Sequence, residues 1–143
     1  MVDHDLIVAK VGIIKKHLRR IAEKSKVNFD TFIKDIDRQE IVSFNLQLAI
    51  ENCTDLAAHI ISAEGLGVPG SASEMFYLLE ENGFLSQELT EKMIKAVGLR
   101  NLIVHEYTKI DLKRLFKIVQ NDIKDIDNYV AVLFTKLGIR VDE

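Results

Sequence analysis

The stretch Arg100-Asn101-Leu102-Ile103-Val104-His105-Glu106-Tyr107 places a guanidinium, a carboxamide, an imidazole and a phenol within eight residues. Histidine is the side chain best suited to moving protons near neutral pH. A planar arginine fork matches the oxygens of a phosphate and keeps its charge throughout a reaction. The pair therefore suits cleavage of a phosphodiester by a neighbouring 2′-hydroxyl, in which charge grows on the phosphorane oxygens and no metal is required. Asn101, beside the arginine, can donate or accept hydrogen bonds and help orient such a site.

On a helical wheel, Leu89, Met93, Ala96, Val97, Ile103 and Val104 lie within about 60° of Arg100. A permanent charge thus sits in an apolar stripe, where leaving it unpaired is costly. Two readings stand. One is a buried ion pair with an upstream carboxylate such as Glu51 or Asp55; the other is an anion site. His105 lies five residues on, about 140° away on an ideal helix. The helix is expected to end there, so that both groups reach one phosphate. An extended segment after it would put Tyr107 on the side of His105 and Glu106 opposite. Glu51, Asp55 and His59 follow at i, i+4 and i+8. They read either as support that orients Arg100 or His105, or as a surface ladder or dimer contact.

The elements that must position these groups are helical, since apolar residues recur at helical spacing almost everywhere. Leu6, Ile7, Val11, Ile14, Leu18 and Ile21 define one helix. Asn28 or Asp30 can cap a short turn leading into a long helix marked by Ile41, Phe44, Leu48, Cys53, Leu56 and Ile60, which runs to about Glu64 and stops at Gly65. Residues 65–71 form the clearest loop. Ser71 and Glu74 have capping-box spacing for a third helix that ends at Asn82-Gly83. Ser86 caps a fourth, running through Val104, and Asp111 caps a final helix that ends before Gly138. The expectation is an all-α, up-down bundle of about five helices in one domain over 1–143.

Composition narrows the function classes. Hydrophobic residues make up 48% of 143, which excludes a disordered chain. A single cysteine, Cys53, excludes an internal disulfide framework and reads as an apolar filler in a reducing compartment. The four histidines (His4, His17, His59 and His105) are scattered, so no metal or cofactor is expected. No apolar run approaches the roughly 20 residues that span a bilayer, and the N-terminus lacks a basic leader. A cytoplasmic location and no membrane partner are expected. Net charge is −3, unevenly placed. Residues 1–36 carry eight basic against five acidic side chains, 37–91 one against ten, and 92–143 ten against seven. The two ends can offer basic surface while the middle is acidic.

Arg-Asn-x-x-x-His-x-Tyr at the end of a late helix resembles the HEPN superfamily, and more narrowly its HepT-like toxin branch. The run Leu48-Ala-Ile-Glu-Asn-Cys-Thr-Asp-Leu-Ala-Ala-His59 resembles that branch too, as does the segment from Val68-Pro69 through Phe76 and Leu79 to Asn82-Gly83. The resemblance covers roughly residues 5–135. It implies a HEPN-like bundle and a metal-independent endoribonuclease, the toxin of a type VII (HEPN/MNT) toxin–antitoxin system. Its substrate would be RNA rather than DNA. It further implies a homodimer with two motifs meeting in a shared cleft. Position by position, Arg100 and His105 become the catalytic pair and Asn101 their polar neighbour. Tyr107 becomes the residue to which an MNT-type nucleotidyltransferase antitoxin attaches AMP. Lys109, Lys113, Arg114 and Lys117 read as contacts to RNA backbone or as ordinary solvated charges. An alternative is a non-catalytic, nucleotide- or substrate-binding helical partner of a nucleotidyltransferase, with Arg100 anchoring a nucleotide phosphate.

Overall fold

The computed structural model describes residues 1–140 and is all-helical. Helix α1 (His4–Ser25) starts where Asp3 accepts the Leu6 N–H, and it buries Ile7, Val11, Ile14, Leu18 and Ile21 on one face. Asn28 caps a short helix, α2 (Phe29–Lys34), through the Thr31 N–H. Asp35 then caps α3 (Ile36–Glu64), which is 29 residues long. Gly65, at φ 63°, ends α3, and Leu66 N–H closes back on Ile61 O at 2.9 Å. An L side chain at that left-handed position would be strained, so glycine is the natural stop. Ser71 accepts the Glu74 N–H at the start of α4 (Ala72–Glu81). Glu74 returns its carboxylate to the Gly70 N–H, one residue before the position a strict capping box uses. Ser86 caps α5 (Gln87–His105).

Beyond α5 the structure departs from the sequence expectation. A 3₁₀ turn over Tyr107–Lys109 replaces the extended segment. The final helix is two helices, α6 (Leu112–Asn121), capped by Asp111, and α7 (Lys124–Leu137). Asp125 N–H bonds Asp122 O and Ile126 N–H bonds Ile123 O, tightening the chain between them. The break has a packing reason. Leu115 and Val119 of α6 are buried where that helix meets α1 and α2, whereas Ile126, Tyr129, Val130 and Leu133 of α7 are buried where it meets α5 and α3. One straight helix could not cover both surfaces. Asn121 and Asp122, weak helix formers, lie at the joint. The count is thus seven α-helices over the described residues rather than about five, because α2 also stands apart from α3.

The core centres on α3, against which α1, α2, α4, α5 and α7 all pack. Helices α1 and α3 run antiparallel: Asp3 meets His59, Lys10 meets Asn52 and Asp55, and His17 meets Asn45. Tyr129 is wholly buried and donates its hydroxyl to Cys53 O at 2.8 Å. Burial pushes the Cys53 thiol and the Tyr129 phenol well up from their ordinary values, so both stay protonated. Among the described residues, no helix is long and apolar enough to cross a membrane. Tyr129→Phe removes one buried hydrogen bond without changing the packing volume. The expected loss is about 1 kcal/mol, read as a lower urea midpoint with an unchanged slope.

Candidate functional site

Helix α5 and the face of α3 opposite it hold the charged centre. Arg100 Nε donates to Glu51 Oε2 at 2.9 Å, and Nη2 lies 2.8 Å from the same oxygen. Nη1 donates to Asn101 Oδ1 at 3.1 Å. Gln47 Nε2 also reaches Glu51 Oε2, at 3.1 Å, and steadies the carboxylate from one turn earlier on α3. A guanidinium has five N–H groups, so at least one on each terminal nitrogen stays free for a further acceptor. The two side chains are 30% and 31% exposed. The arginine is therefore paired but open, not sealed in the core. Its apolar flanks are real: Leu89, Met93, Val97 and Ile103 are buried, while Val104 is 40% exposed.

Of the upstream polar stripe, only Glu51 reaches this centre. Asp55 pairs instead with Lys10 at 3.0 Å, and His59 Nε2 accepts the Asp3 N–H at 3.0 Å. Both therefore tie α1 and its leading residues to α3, and neither meets Arg100 or His105 within the chain. Residues at i, i+4 and i+8 drift around a straight helix by about 40° per step. Over the two steps the stripe turns from α5 towards α1.

His105 is the last residue of α5 and is exposed. Because α5 stays helical through it, the divergence of about 140° from Arg100 is kept within one chain. Tyr107 is 36% exposed in the 3₁₀ turn. Among the described residues, neither the imidazole nor the phenol hydroxyl has a hydrogen-bond partner. Lys109 forms a surface pair with Glu106 at 3.5 Å. Lys113 and Arg114 are exposed on the first turn of α6. Among the described residues, no three His, Cys, Asp or Glu side chains gather closely enough to hold a metal ion.

The sequence reading passed over Lys92 and Lys95, on the opposite flank of α5. Together with Arg114 and Lys117 they border a groove between α5, α6 and α7. Their i, i+3 spacing was a visible signal, but the groove exists only because α6 and α7 are separate.

A model of the family described as ribonuclease HepT-like matches residues 14–133. The chain is 34% identical over 130 residues to the mRNA nuclease HepT of Shewanella oneidensis, covering 91% of this chain and 97% of that one. It is 26% identical over 125 residues to the tRNA nuclease HepT of Aphanizomenon flos-aquae, covering 87% and 85%. A solved structure of a tri-AMPylated Shewanella oneidensis HEPN toxin in complex with MNT antitoxin superposes with a TM-score of 0.87 at 33% identity, covering 93% and 99%.

Because the Arg100–Glu51 pair is nearly one-third exposed, its net contribution to folding is small. Arg100→Ala is expected to lower stability by no more than about 1 kcal/mol, measured by thermal or urea unfolding. A loss of several times that would mark the arginine as a structural ion pair.

Proposed function

The chain belongs to the ribonuclease HepT-like family, and on that premise we propose that it is the RNA-cleaving toxin of a toxin–antitoxin pair, with Arg100 and His105 as its catalytic residues. The observation that carries this reading is the half-open guanidinium of Arg100. Glu51 and Asn101 hold it in place while leaving N–H groups for a substrate phosphate. In the proposed reaction the 2′-hydroxyl attacks the adjacent phosphorus and the bond to the 5′-oxygen breaks. The products are a 2′,3′-cyclic phosphate and a 5′-hydroxyl. His105 moves the proton, and Arg100 stabilises the charge on the phosphorane oxygens.

The divergence of Arg100 and His105 along a continuous helix supports a shared site. In a two-fold dimer, Arg100 of one protomer would work beside the partner's histidine. The exposed side chains Phe44 and Val104 lie on the α3 and α5 surface that carries the pair, and apolar exposure of that kind favours self-association. Lys109, Lys113 and Arg114 would hold RNA backbone on either side of the cut.

Arg100→Ala and His105→Ala should each reduce cleavage of a fluorescent RNA by at least about 100-fold while the circular dichroism spectrum is unchanged. Activity should persist in EDTA and leave cyclic phosphate ends. Mixing the two inactive variants should restore part of the activity if the site is shared. Wild-type rates in both single variants would overturn the assignment.

The partner we propose is an MNT-type nucleotidyltransferase antitoxin that adenylylates Tyr107. The phenol oxygen attacks the α-phosphorus of ATP, an O–P bond forms, pyrophosphate leaves and the phenolic proton passes to solvent or a transferase base. The added phosphate brings negative charge close to the catalytic guanidinium and competes with substrate. Co-expression with such a partner should raise the intact mass by one or more AMP units, mapped to Tyr107. Tyr107→Phe should abolish that increase; an undiminished increase in the variant would place the modification elsewhere.

A further inference from the structure

The Arg100–Glu51 pair leaves one atom uncommitted on its acidic side. Three N–H donors converge on Glu51 Oε2: Arg100 Nε at 2.9 Å, Arg100 Nη2 at 2.8 Å and Gln47 Nε2 at 3.1 Å. Among the described residues, Glu51 Oε1 accepts no hydrogen bond, and it is open to solvent. The carboxylate is thus anchored by one oxygen and presents the other, whose lone pairs are free. The outer N–H groups of the arginine are open as well. One ion pair therefore offers a bare donor edge and a bare acceptor together.

Attack by a 2′-hydroxyl calls for both. In an in-line displacement the attacking and leaving oxygens lie on opposite sides of phosphorus. One imidazole cannot touch both, so the proton leaving the 2′-oxygen and the proton reaching the 5′-oxygen need separate groups. Around Arg100 the choice of acceptor is short. Asn101 Oδ1 already takes the Nη1 proton, and a carboxamide is no base. Asp55 is held by Lys10 on the α1 side, and Glu106 faces Lys109 beyond the end of α5. Glu51 Oε1 is the acceptor left. The 2′-oxygen and the phosphate it attacks belong to one nucleotide, so a phosphate on the free guanidinium edge brings that hydroxyl towards the carboxylate.

We infer that Glu51 is a further catalytic residue, the base that takes the 2′-hydroxyl proton, and that His105 protonates the leaving oxygen. The inference rests on the reading that Arg100 and His105 cleave RNA. As the 2′-oxygen bonds to phosphorus, its proton passes to Glu51 Oε1. Charge on the non-bridging oxygens meets Arg100. The bond from phosphorus to the 5′-oxygen breaks, and that oxygen takes the proton of the His105 imidazolium. Glu51 ends protonated and His105 neutral, and exchange with solvent resets both.

The test compares an ordinary RNA with one carrying sulfur in place of the scissile 5′-oxygen, because a thiolate leaves without being protonated. Glu51→Gln keeps an oxygen for Arg100 but removes the base. It should lower kcat on ordinary RNA by at least about 100-fold with KM little changed, and sulfur should not restore it. His105→Ala should lose as much on ordinary RNA and return to within about tenfold of wild type on the sulfur substrate. Glu51→Asp, which keeps a carboxylate, should stay more active than Glu51→Gln, with urea unfolding confirming that both variants fold. Near-wild-type cleavage by Glu51→Gln, its rescue by sulfur, or Glu51→Gln outperforming Glu51→Asp would overturn the base and leave Glu51 as an anchor for Arg100. A wild-type protein that cleaves no RNA, or wild-type rates in His105→Ala, would overturn the ribonuclease reading and the base with it.

Discussion

Helix α3 buries an apolar stripe about 120° wide, from Val42 and Leu46 through Ala49, Ile50 and Cys53 to Leu56, Ala57 and Ile60. The stripe runs the length of a 29-residue helix, longer than any one neighbour, so several helices pack along it. Helix α1 takes one side in an antiparallel arrangement, α4 and α5 take another, and α7 reaches in with Tyr129. The polar residues of α3 are then sorted by which neighbour they face. Asn45, Asn52 and Asp55 meet α1, and Glu51 meets α5. The charged centre is a consequence of that sorting.

Arg100 illustrates how a charge on an apolar stripe can be stabilised without being neutralised for function. Two guanidinium nitrogens share one carboxylate oxygen, and a neighbouring carboxamide takes a third nitrogen. The geometry fixes the plane of the fork and leaves its outer edge free. Full burial would have required every N–H to be satisfied internally, and nothing would remain for an incoming phosphate. Partial exposure instead leaves the outer N–H groups as a donor surface.

The chain between α5 and α6 carries a second kind of constraint. The 3₁₀ turn keeps Tyr107 close behind His105 and delivers Ile110 to a groove that α6 and α7 complete. His105 and Tyr107 are thus separated by a single helix end.

The helical class, the caps at Ser71, Ser86 and Asp111, and the stops at Gly65 and Gly138 were legible in the sequence, because local hydrogen bonding and backbone sterics decide them. So was the choice facing Arg100 between an acidic partner and an open anion site, since a charge amid apolar neighbours demands one or the other. Which acid it finds was not legible. Glu51, Asp55 and His59 look equivalent by spacing, yet only the packing of α1 and α5 on either side of α3 assigns Asp55 to Lys10, His59 to the Asp3 amide and Glu51 to the arginine. The break at Asp122–Ile123 was hidden for the same reason. Apolar periodicity runs on through it, and the chain bends because α6 and α7 must reach different partners. Local chemistry wrote the elements and the eight-residue motif, while long-range burial chose the partners and opened the groove beside them.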